Sequence, residues 1–122
     1  FNIIQFDIEG RRVLDLFAGT GQLGIEALSR GAAGCTFVDQ RKEAVALVRS
    51  NLKLCQLSEK ARVVQGEGLS FLSTVREPFH LIFLDPPYKA ELLENALKKI
   101  AEIDMLTENG IIICESPSFI RT

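Results

Sequence analysis

The chain is poor in the residues that metal centres, disulfide frameworks and hydrolytic triads require. Its 122 residues include three cysteines, one histidine, one methionine and no tryptophan. The cysteines Cys35, Cys55 and Cys114 are far apart and show no metal-ligand spacing. Two of them fall in apolar strand patterns, which favours buried free thiols in a reducing cytoplasm. The single His80 opens a predicted strand, so we do not expect a catalytic triad built on it.

The chain also lacks long apolar runs and a marked excess of charge of one sign. No apolar run approaches the roughly 20 residues that a membrane-spanning helix needs, and residues 1–9 show no signal-peptide pattern. Lys and Arg number 14 against 16 Asp and Glu, and the net charge is −2. An enzyme that acts on nucleic acid usually has a positively charged surface of Lys and Arg residues. Either the substrate is not a nucleic acid, or the basic surface lies outside these residues.

Strand-like and helix-like runs alternate along the whole chain, with Gly34 and Gly110 among the predicted turns. The continuous apolar runs predict five strands, Arg12–Phe17, Cys35–Asp39, Arg62–Gln65, Leu81–Asp85 and Ile111–Glu115. The runs between them predict helices at Gln22–Arg30, Lys42–Cys55, Leu69–Val75 and Ala90–Ile103. This alternation predicts one α/β domain, with an open parallel sheet and helices on both faces.

Four acidic residues fall at or just after the carboxyl ends of predicted strands. They are Asp15, Asp39, Glu67 and Asp85. Ligands of open parallel sheets bind beyond the carboxyl ends of the strands. Four carboxylates do not stabilise a hydrophobic core, since Asp and Glu are seldom buried without partners. The sequence therefore predicts a binding site along this edge of the sheet.

A glycine-rich turn follows the first predicted strand. Gly19, Gly21 and Gly24 match the G-x-G-x-x-G pattern, and Asp39 follows about 20 residues later, as in dinucleotide-binding folds. The alternative is a tight strand-to-helix turn without a ligand. Asp15 argues against a nicotinamide dinucleotide, because a carboxylate just before the turn repels a pyrophosphate and suits the ammonium of a methionine moiety.

Two of the acidic residues have competing interpretations. Asp39 can accept hydrogen bonds from both hydroxyls of a ribose or cap the following helix, and the glycine turn favours the ribose. Glu67, between Gly66 and Gly68, can accept a hydrogen bond from an adenine amine or stand as an exposed loop carboxylate.

A proline-rich tetrad, Asp85-Pro86-Pro87-Tyr88, follows the apolar run 81–84. Asp85 and the Pro86 carbonyl can accept the two hydrogens of a purine amine, and the Asp85 anion can stabilise the positive charge that grows on nitrogen during methylation. Pro86 and Pro87 fix the backbone, and Tyr88 can stack on the base. The alternative is a simple turn. Together with the glycine turn, the tetrad indicates methyl transfer from S-adenosylmethionine to an amino group on a base.

These residues resemble the class I, Rossmann-like methyltransferases, and more closely the RsmD family of bacterial 16S ribosomal RNA guanine-N2 methyltransferases. The resemblance covers essentially the whole chain and is most specific over Leu14–Gly21 and Gly24–Ala32. The tetrad Asp85–Tyr88 is shared with many amino-methyltransferases. The resemblance implies a sheet in the order 3-2-1-4-5 with the first strand at its centre.

The resemblance also implies roles for individual residues. It assigns the methionine and cofactor backbone to Asp15, Phe17, Gly19 and Gly21, the ribose to Asp39, the adenine to Gly66, Glu67 and Gly68, and the target base to Asp85, Pro86, Pro87 and Tyr88. The family usually has Asp where Glu67 stands. It also extends beyond both ends of this chain, so we expect residues 1–122 to be a single methyltransferase domain within a longer protein.

The expected reaction is direct in-line transfer of a methyl group from S-adenosylmethionine to guanine N2, with no metal and no covalent enzyme intermediate. The expected partner is 16S ribosomal RNA or an assembly intermediate of the small subunit. We expect a cytoplasmic monomer that does not contact a membrane. The alternatives are a DNA adenine-N6 or protein-glutamine methyltransferase, and a nucleotide-binding or methyltransferase-like module without activity.

Overall fold

A computed structural model describes residues 7–84, 90–103 and 106–114 of the chain. In these ranges strands and helices alternate, in the order β1 Arg12–Leu16, α1 Gln22–Ser29, β2 Gly34–Asp39, α2 Lys42–Leu54, a 3-10 turn Ser58–Lys60, β3 Ala61–Gln65, α3 Gly68–Leu72, β4 Phe79–Leu84, α4 Ala90–Glu102 and β5 Leu106–Cys114. The strands form one parallel sheet in the order β3-β2-β1-β4-β5. The predicted fold class and strand order are therefore confirmed.

The core lies on both faces of the sheet. Successive strand residues point to opposite faces, so Val13 of β1 packs with α1 and α2, and Leu14 packs with α3 and α4. The first face contains Val13, Ala27, Leu28, Phe37, Val48, Leu52, Leu81 and Phe83, and the second contains Leu14, Leu16, Val38, Leu72, Ile82, Leu84, Leu93, Ala96 and Ile100. Because both faces are covered, the central strands β1 and β4 are buried along nearly their whole length, and their apolar residues form continuous runs rather than alternating with polar ones.

The fifth strand is longer than the sequence predicted. It begins at Leu106 rather than Ile111, so Gly110 lies inside β5 and the predicted turn there is wrong. The pairing of β4 with β5 shifts between Phe79↔Leu106 and Leu81↔Ile111, and this irregularity absorbs the extra residues of β5. An edge strand pairs on one side only, so it tolerates such an irregularity.

The start of α1 packs closely on the sheet at Gly24. A Cβ placed on Gly24 would lie 2.4 Å from Cε2 of Phe37 and 2.7 Å from Sγ of Cys35. Both neighbours are buried, so neither can move aside cheaply. This close approach is the reason a glycine is needed at the last position of the glycine-rich turn.

Substitution of Gly24 by alanine is expected to destabilise the protein. In a helix, alanine is about 1 kcal/mol more favourable than glycine. Overpacking a rigid core costs about 1–3 kcal/mol, and the short distances at Gly24 put the cost of Gly24→Ala toward the upper end of that range. Urea unfolding should show a lower midpoint with an unchanged slope. Ser29→Ala, at an exposed position of the same helix, should stay within about 0.5 kcal/mol of the original protein. A Gly24→Ala protein as stable as the original would contradict this packing.

Candidate active site

A cavity of about 540 Å³ opens at the carboxyl ends of β1, β2 and β3. This volume lies within the range of roughly 300–1,000 Å³ typical of small-molecule sites. The residues predicted to bind a cofactor that line it are Asp15, Phe17, Gly19, Asp39, Gly66, Glu67 and Gly68. Gly21 does not line the cavity but shapes the turn beside it. The tetrad Asp85–Tyr88 lies outside the described residues.

The glycine-rich turn is held to the sheet and to α2 by hydrogen bonds. Gly21, with φ 79°, has a left-handed conformation that favours glycine, and its amide donates to the Ala18 carbonyl at 2.8 Å. The Ala18 amide donates to the Val38 carbonyl at 2.8 Å, at the end of β2. Asn51 Nδ2, on α2, donates to the Thr20 carbonyl at 3.0 Å. The turn is therefore held by one hydrogen bond within itself, one to β2 and one to α2.

Asp15 places a carboxylate at the amino end of α1. The residue is 3% exposed, and its Oδ2 accepts a hydrogen bond from the Gly24 amide at 3.2 Å. Helix amino ends favour negative charge, and in dinucleotide-binding folds a phosphate takes this place. Here Asp15 supplies the negative charge, so the site disfavours a pyrophosphate and favours a cationic group.

Phe17 and Gly68 form one wall of the cavity together. Phe17 has φ 65°, a conformation uncommon for a residue other than glycine. A Cβ on Gly68 would lie 3.0 Å from Cε1 of the Phe17 ring. The loop after β1 and the loop after β3 therefore fit together because position 68 has no side chain.

The Asp39 carboxylate accepts four hydrogen bonds at the edge of the cavity. Its Oδ1 accepts from the Arg41 amide at 2.9 Å and from Arg41 Nε at 3.2 Å. Its Oδ2 accepts from the Gly19 amide at 2.9 Å and from Arg41 Nη2 at 3.4 Å. The Asp39 carbonyl accepts from the Gly66 amide at 3.0 Å. Asp39 thus connects the glycine turn, its own strand end and the loop after β3.

Its hydrogen bonds hold Asp39 in the ionised form. Burial by itself raises the pKa of Asp39, but hydrogen bonds from the Arg41 side chain and from the Arg41 and Gly19 amides, with the charge of Arg41, outweigh it. The pKa of Asp39 is therefore lowered from its usual 3.8. A ligand with hydroxyl donors meets a fixed anion here.

Glu67 caps α3. Its Oε2 accepts from the Leu69 amide at 3.1 Å, and its Oε1 accepts from the Ser70 amide at 2.8 Å and from Ser70 Oγ at 3.1 Å. Burial raises the pKa of Glu67, but these three hydrogen bonds outweigh it and the pKa is lowered from 4.5. This cap explains why α3 begins at Gly68, one residue earlier than predicted.

Acidification is expected to remove the contribution of Asp39 to stability. A carboxyl group whose pKa is lower in the folded than in the unfolded state stabilises the fold above its ordinary pKa, and this stabilisation is lost as pH falls through the folded value. The Tm should therefore fall as pH drops from about 5 toward 3, and Asp39→Asn should show a shallower fall. Glu94→Asn, at an exposed position of α4, serves as the control. If the Tm of Asp39→Asn fell with pH as steeply as that of the original protein, the lowered pKa of Asp39 would be contradicted.

Several cavity residues were not predicted from the sequence. They are Ala18, Thr20, Gln22, Leu23, Val38, Gln40, Arg41 and Leu92. Most of them are next to predicted site residues in the sequence, so they could have been found from their position beside the glycine turn and Asp39. Leu92 had no such signal, because α4 reaches the cavity only through the tertiary fold.

The remaining titratable candidates lie away from the cavity or do not cluster. His80 Nδ1 accepts the Arg12 amide at 2.9 Å, at the opposite end of the sheet. Among the described residues, no three His, Cys, Asp or Glu side chains come together in a way that could hold a metal ion. Cys35 is buried, Cys114 is half-buried and Cys55 is exposed, all as free thiols. None of the helices in these ranges combines the length and the apolar character of a membrane-spanning segment.

The strand order and the cavity at the carboxyl ends of the strands are those of a Rossmann-like class I methyltransferase fold. A solved Escherichia coli structure, named "Putative methyltransferase yhhF", matches this chain with a TM-score of 0.85 and 34% identity, over 93% of this chain and 64% of that one. The chain belongs to the family described as Conserved hypothetical protein 95, whose model matches residues 1–121. This is the RsmD-type family that the sequence resembled, so that prediction is confirmed.

Two curated relatives show the same similarity in sequence. The Bacillus subtilis "Putative rRNA methyltransferase YlbH" is 48% identical over 118 residues, which cover 94% of this chain and 64% of the relative. The Escherichia coli "Ribosomal RNA small subunit methyltransferase D" is 35% identical over 116 residues, which cover 95% of this chain and 58% of the relative. The chain thus spans about three fifths of the length of these relatives.

Proposed function

We propose that the chain is the methyltransferase domain of an enzyme that transfers a methyl group from S-adenosylmethionine to the exocyclic N2 amine of a guanine in 16S ribosomal RNA. The observation that carries the proposal is the buried Asp15 carboxylate on the Gly24 amide. It puts negative charge where a dinucleotide fold would receive phosphate, and this suits a ligand with an ammonium group. Membership of the RsmD-type family supports the same reaction.

The described residues fit S-adenosylmethionine in charge and size. Asp15 is proposed to bind the methionine ammonium, with Phe17 and Gly19 along the cofactor backbone and Gly21 shaping the turn. The cavity volume of about 540 Å³ fits a ligand of this size. S-adenosylmethionine supplies an electrophilic methyl group on a sulfonium centre. The chain itself supplies proximity and orientation, which account for much of the acceleration of such a transfer.

The nucleoside end of the cofactor is assigned to the strand ends of β2 and β3. Asp39, a fixed and buried anion, is proposed to accept hydrogen bonds from the ribose hydroxyls. Gly66 and Gly68 present a wall without side chains to the adenine. Glu67 Oε2 has one described donor, the Leu69 amide, and a carboxylate oxygen can accept two. An adenine amine is therefore proposed to donate to Glu67 through Oε2 while the cap of α3 remains.

The target amine is assigned to the tetrad. Leu84, the last described residue of β4, pairs with Leu16, and the chain enters the tetrad directly after it. Asp85 and the Pro86 carbonyl are proposed to accept the hydrogens of the amine, Pro87 to fix the loop, and Tyr88 to stack on the base. The Asp85 anion then stabilises the positive charge that develops on nitrogen.

The proposed partner is 16S ribosomal RNA or an assembly intermediate of the small subunit, and the proposed setting is the cytoplasm, with the enzyme acting as a monomer. Since Lys and Arg number only 14 against 16 Asp and Glu, the phosphate contacts that RNA binding needs are proposed to come mainly from outside residues 1–122.

Mass mapping of ribosomal RNA from cells that lack the full-length gene tests the substrate. One guanine of 16S ribosomal RNA should lose a methyl group at N2, and the full-length protein should restore it. Calorimetry on the same protein should show binding of S-adenosylmethionine and none of NADH. A loss of adenine or glutamine methylation with intact ribosomal RNA would refute the substrate, and equal affinity for NADH would refute the cofactor.

A further inference from the structure

Arg41 lies in the cavity and is ion-paired to the residue that the proposed function assigns to the ribose. Its Nε is 3.2 Å from Oδ1 of Asp39, and its Nη2 is 3.4 Å from Oδ2. The two side chains differ sharply in exposure, with Arg41 63% and Asp39 9% exposed. The buried Asp39 carboxylate is therefore covered by the largely exposed guanidinium of Arg41.

The hydrogen-bond capacity of Asp39 is already used in this arrangement. A carboxylate has about four acceptor positions. The backbone amides of Gly19 and Arg41 take one on each oxygen, and the Arg41 side chain takes a second on each oxygen. A ribose diol that donates two hydrogen bonds to Asp39 must therefore replace the two bonds from the Arg41 side chain.

The amides and the side chain of Arg41 differ in how easily they give way. The Gly19 amide belongs to the braced glycine turn, and the Arg41 amide belongs to the backbone just before α2. The Arg41 side chain is 63% exposed, and it can leave Asp39 at a small cost in free energy because exposed ion pairs are screened by water. The guanidinium is the displaceable partner, and the amides stay.

We propose that Arg41 is a built-in competitor for Asp39, which occupies the acceptor positions of the ribose diol and is displaced when a nucleoside ligand binds. The inference rests on the proposed function, since it assumes that Asp39 receives a ribose. Arg41 keeps Asp39 ionised and oriented before binding, and it lowers the affinity for the cofactor and its product alike. It is a positioning residue rather than a catalytic one.

Isothermal titration of the full-length protein with S-adenosylhomocysteine tests the competition. Arg41→Ala is expected to bind this ligand about 1.5- to fivefold more tightly than the original protein, the range that loss of an exposed ion pair allows. A residue that contacts the ligand favourably would give the opposite sign. Arg41→Gln keeps a long polar side chain but removes the charge, and it should also bind more tightly. This variant controls for the possibility that alanine alters the start of α2.

Two controls separate competition for Asp39 from a general effect of charge or space. Arg49→Ala removes the same charge from α2 outside the cavity, where the Arg49 guanidinium approaches the Val63 carbonyl at 3.5 Å, and it should leave the affinity unchanged. The 2′,3′-dideoxy analogue of S-adenosylhomocysteine cannot compete for Asp39, so Arg41→Ala should not bind it more tightly. An equal gain for both ligands would overturn the competition.

The outcomes also separate this inference from the proposed function. If the original protein binds S-adenosylhomocysteine and Arg41→Ala binds it equally or more weakly, the competition is refuted and the cofactor site stands. If the original protein does not bind S-adenosylhomocysteine at all, both are refuted.

Discussion

Replacement of Asp85 by alanine in the full-length protein is expected to lower the methylation rate by about 10²–10³-fold, the usual cost of removing one preorganised charge-stabilising group. The affinity for S-adenosylmethionine should stay nearly unchanged, because Asp85 is proposed to act on the amine and not on the cofactor. Single-turnover methylation of ribosomal RNA and calorimetry with the cofactor measure the two quantities separately. Glu94→Ala, at an exposed position of α4, is the control for loss of a carboxylate.

Two substitutions of Tyr88 complete this test. Tyr88→Ala should weaken capture of the target base, since stacking on an aromatic ring contributes about 1–3 kcal/mol. Tyr88→Phe should be mild, because stacking needs the ring and not the hydroxyl. If Asp85→Ala methylates RNA at the normal rate, the tetrad is only a turn and the proposed mechanism is wrong.

Replacement of Asp39 by alanine is expected to weaken binding of S-adenosylmethionine by about 1.5–3 kcal/mol, or roughly 10- to 150-fold, the contribution of a hydrogen bond to a charged group. The same change leaves the Gly19 amide without its carboxylate partner, so part of the loss reflects a looser glycine turn. Calorimetry gives the affinity, and urea unfolding gives the change in stability.

Two further variants separate the lost contact from the looser turn. Asp39→Asn keeps one acceptor oxygen and a similar shape, so it should lose less stability than Asp39→Ala while it still loses affinity. Asp7→Ala removes a carboxylate that is 78% exposed and 3.7 Å from Arg11, and it should change neither quantity. Full affinity in Asp39→Ala would rule out Asp39 as the ribose ligand.

Sequence patterns were sufficient for the fold class, because strand-like runs that alternate with helical runs indicate an open parallel sheet. The strand order was implied by the family resemblance. Apolar runs without alternation indicated strands covered on both faces, and the structure places Val13 and Leu14 in different core clusters. The turns expected at Gly34 and Gly110 are exceptions, because Gly34 lies at the start of β2 and Gly110 within β5. The position of Gly110 could not be predicted, because the shifted pairing of β5 with β4 depends on contacts between distant segments.

In the cavity, the sequence predicted which acidic residues come together but not the groups that they bind. Asp15, Asp39 and Glu67 were predicted to share one edge of the sheet, and all three line one cavity. Their partners were not predictable. The sequence left Glu67 open between an adenine contact and an exposed loop carboxylate, and the structure shows an exposed carboxylate that caps α3. The roles of these residues toward a ligand remain predictions.

The sequence by itself therefore determined the class of fold, the family and the edge of the sheet where the site lies. These follow from the spacing of apolar residues, from short motifs and from the rule that parallel strands end on one side. Only the tertiary structure decided that Arg41 pairs with Asp39, that Leu92 reaches the cavity and that β5 begins at Leu106. Each of these depends on which groups become neighbours in space, and the linear order of residues does not specify that.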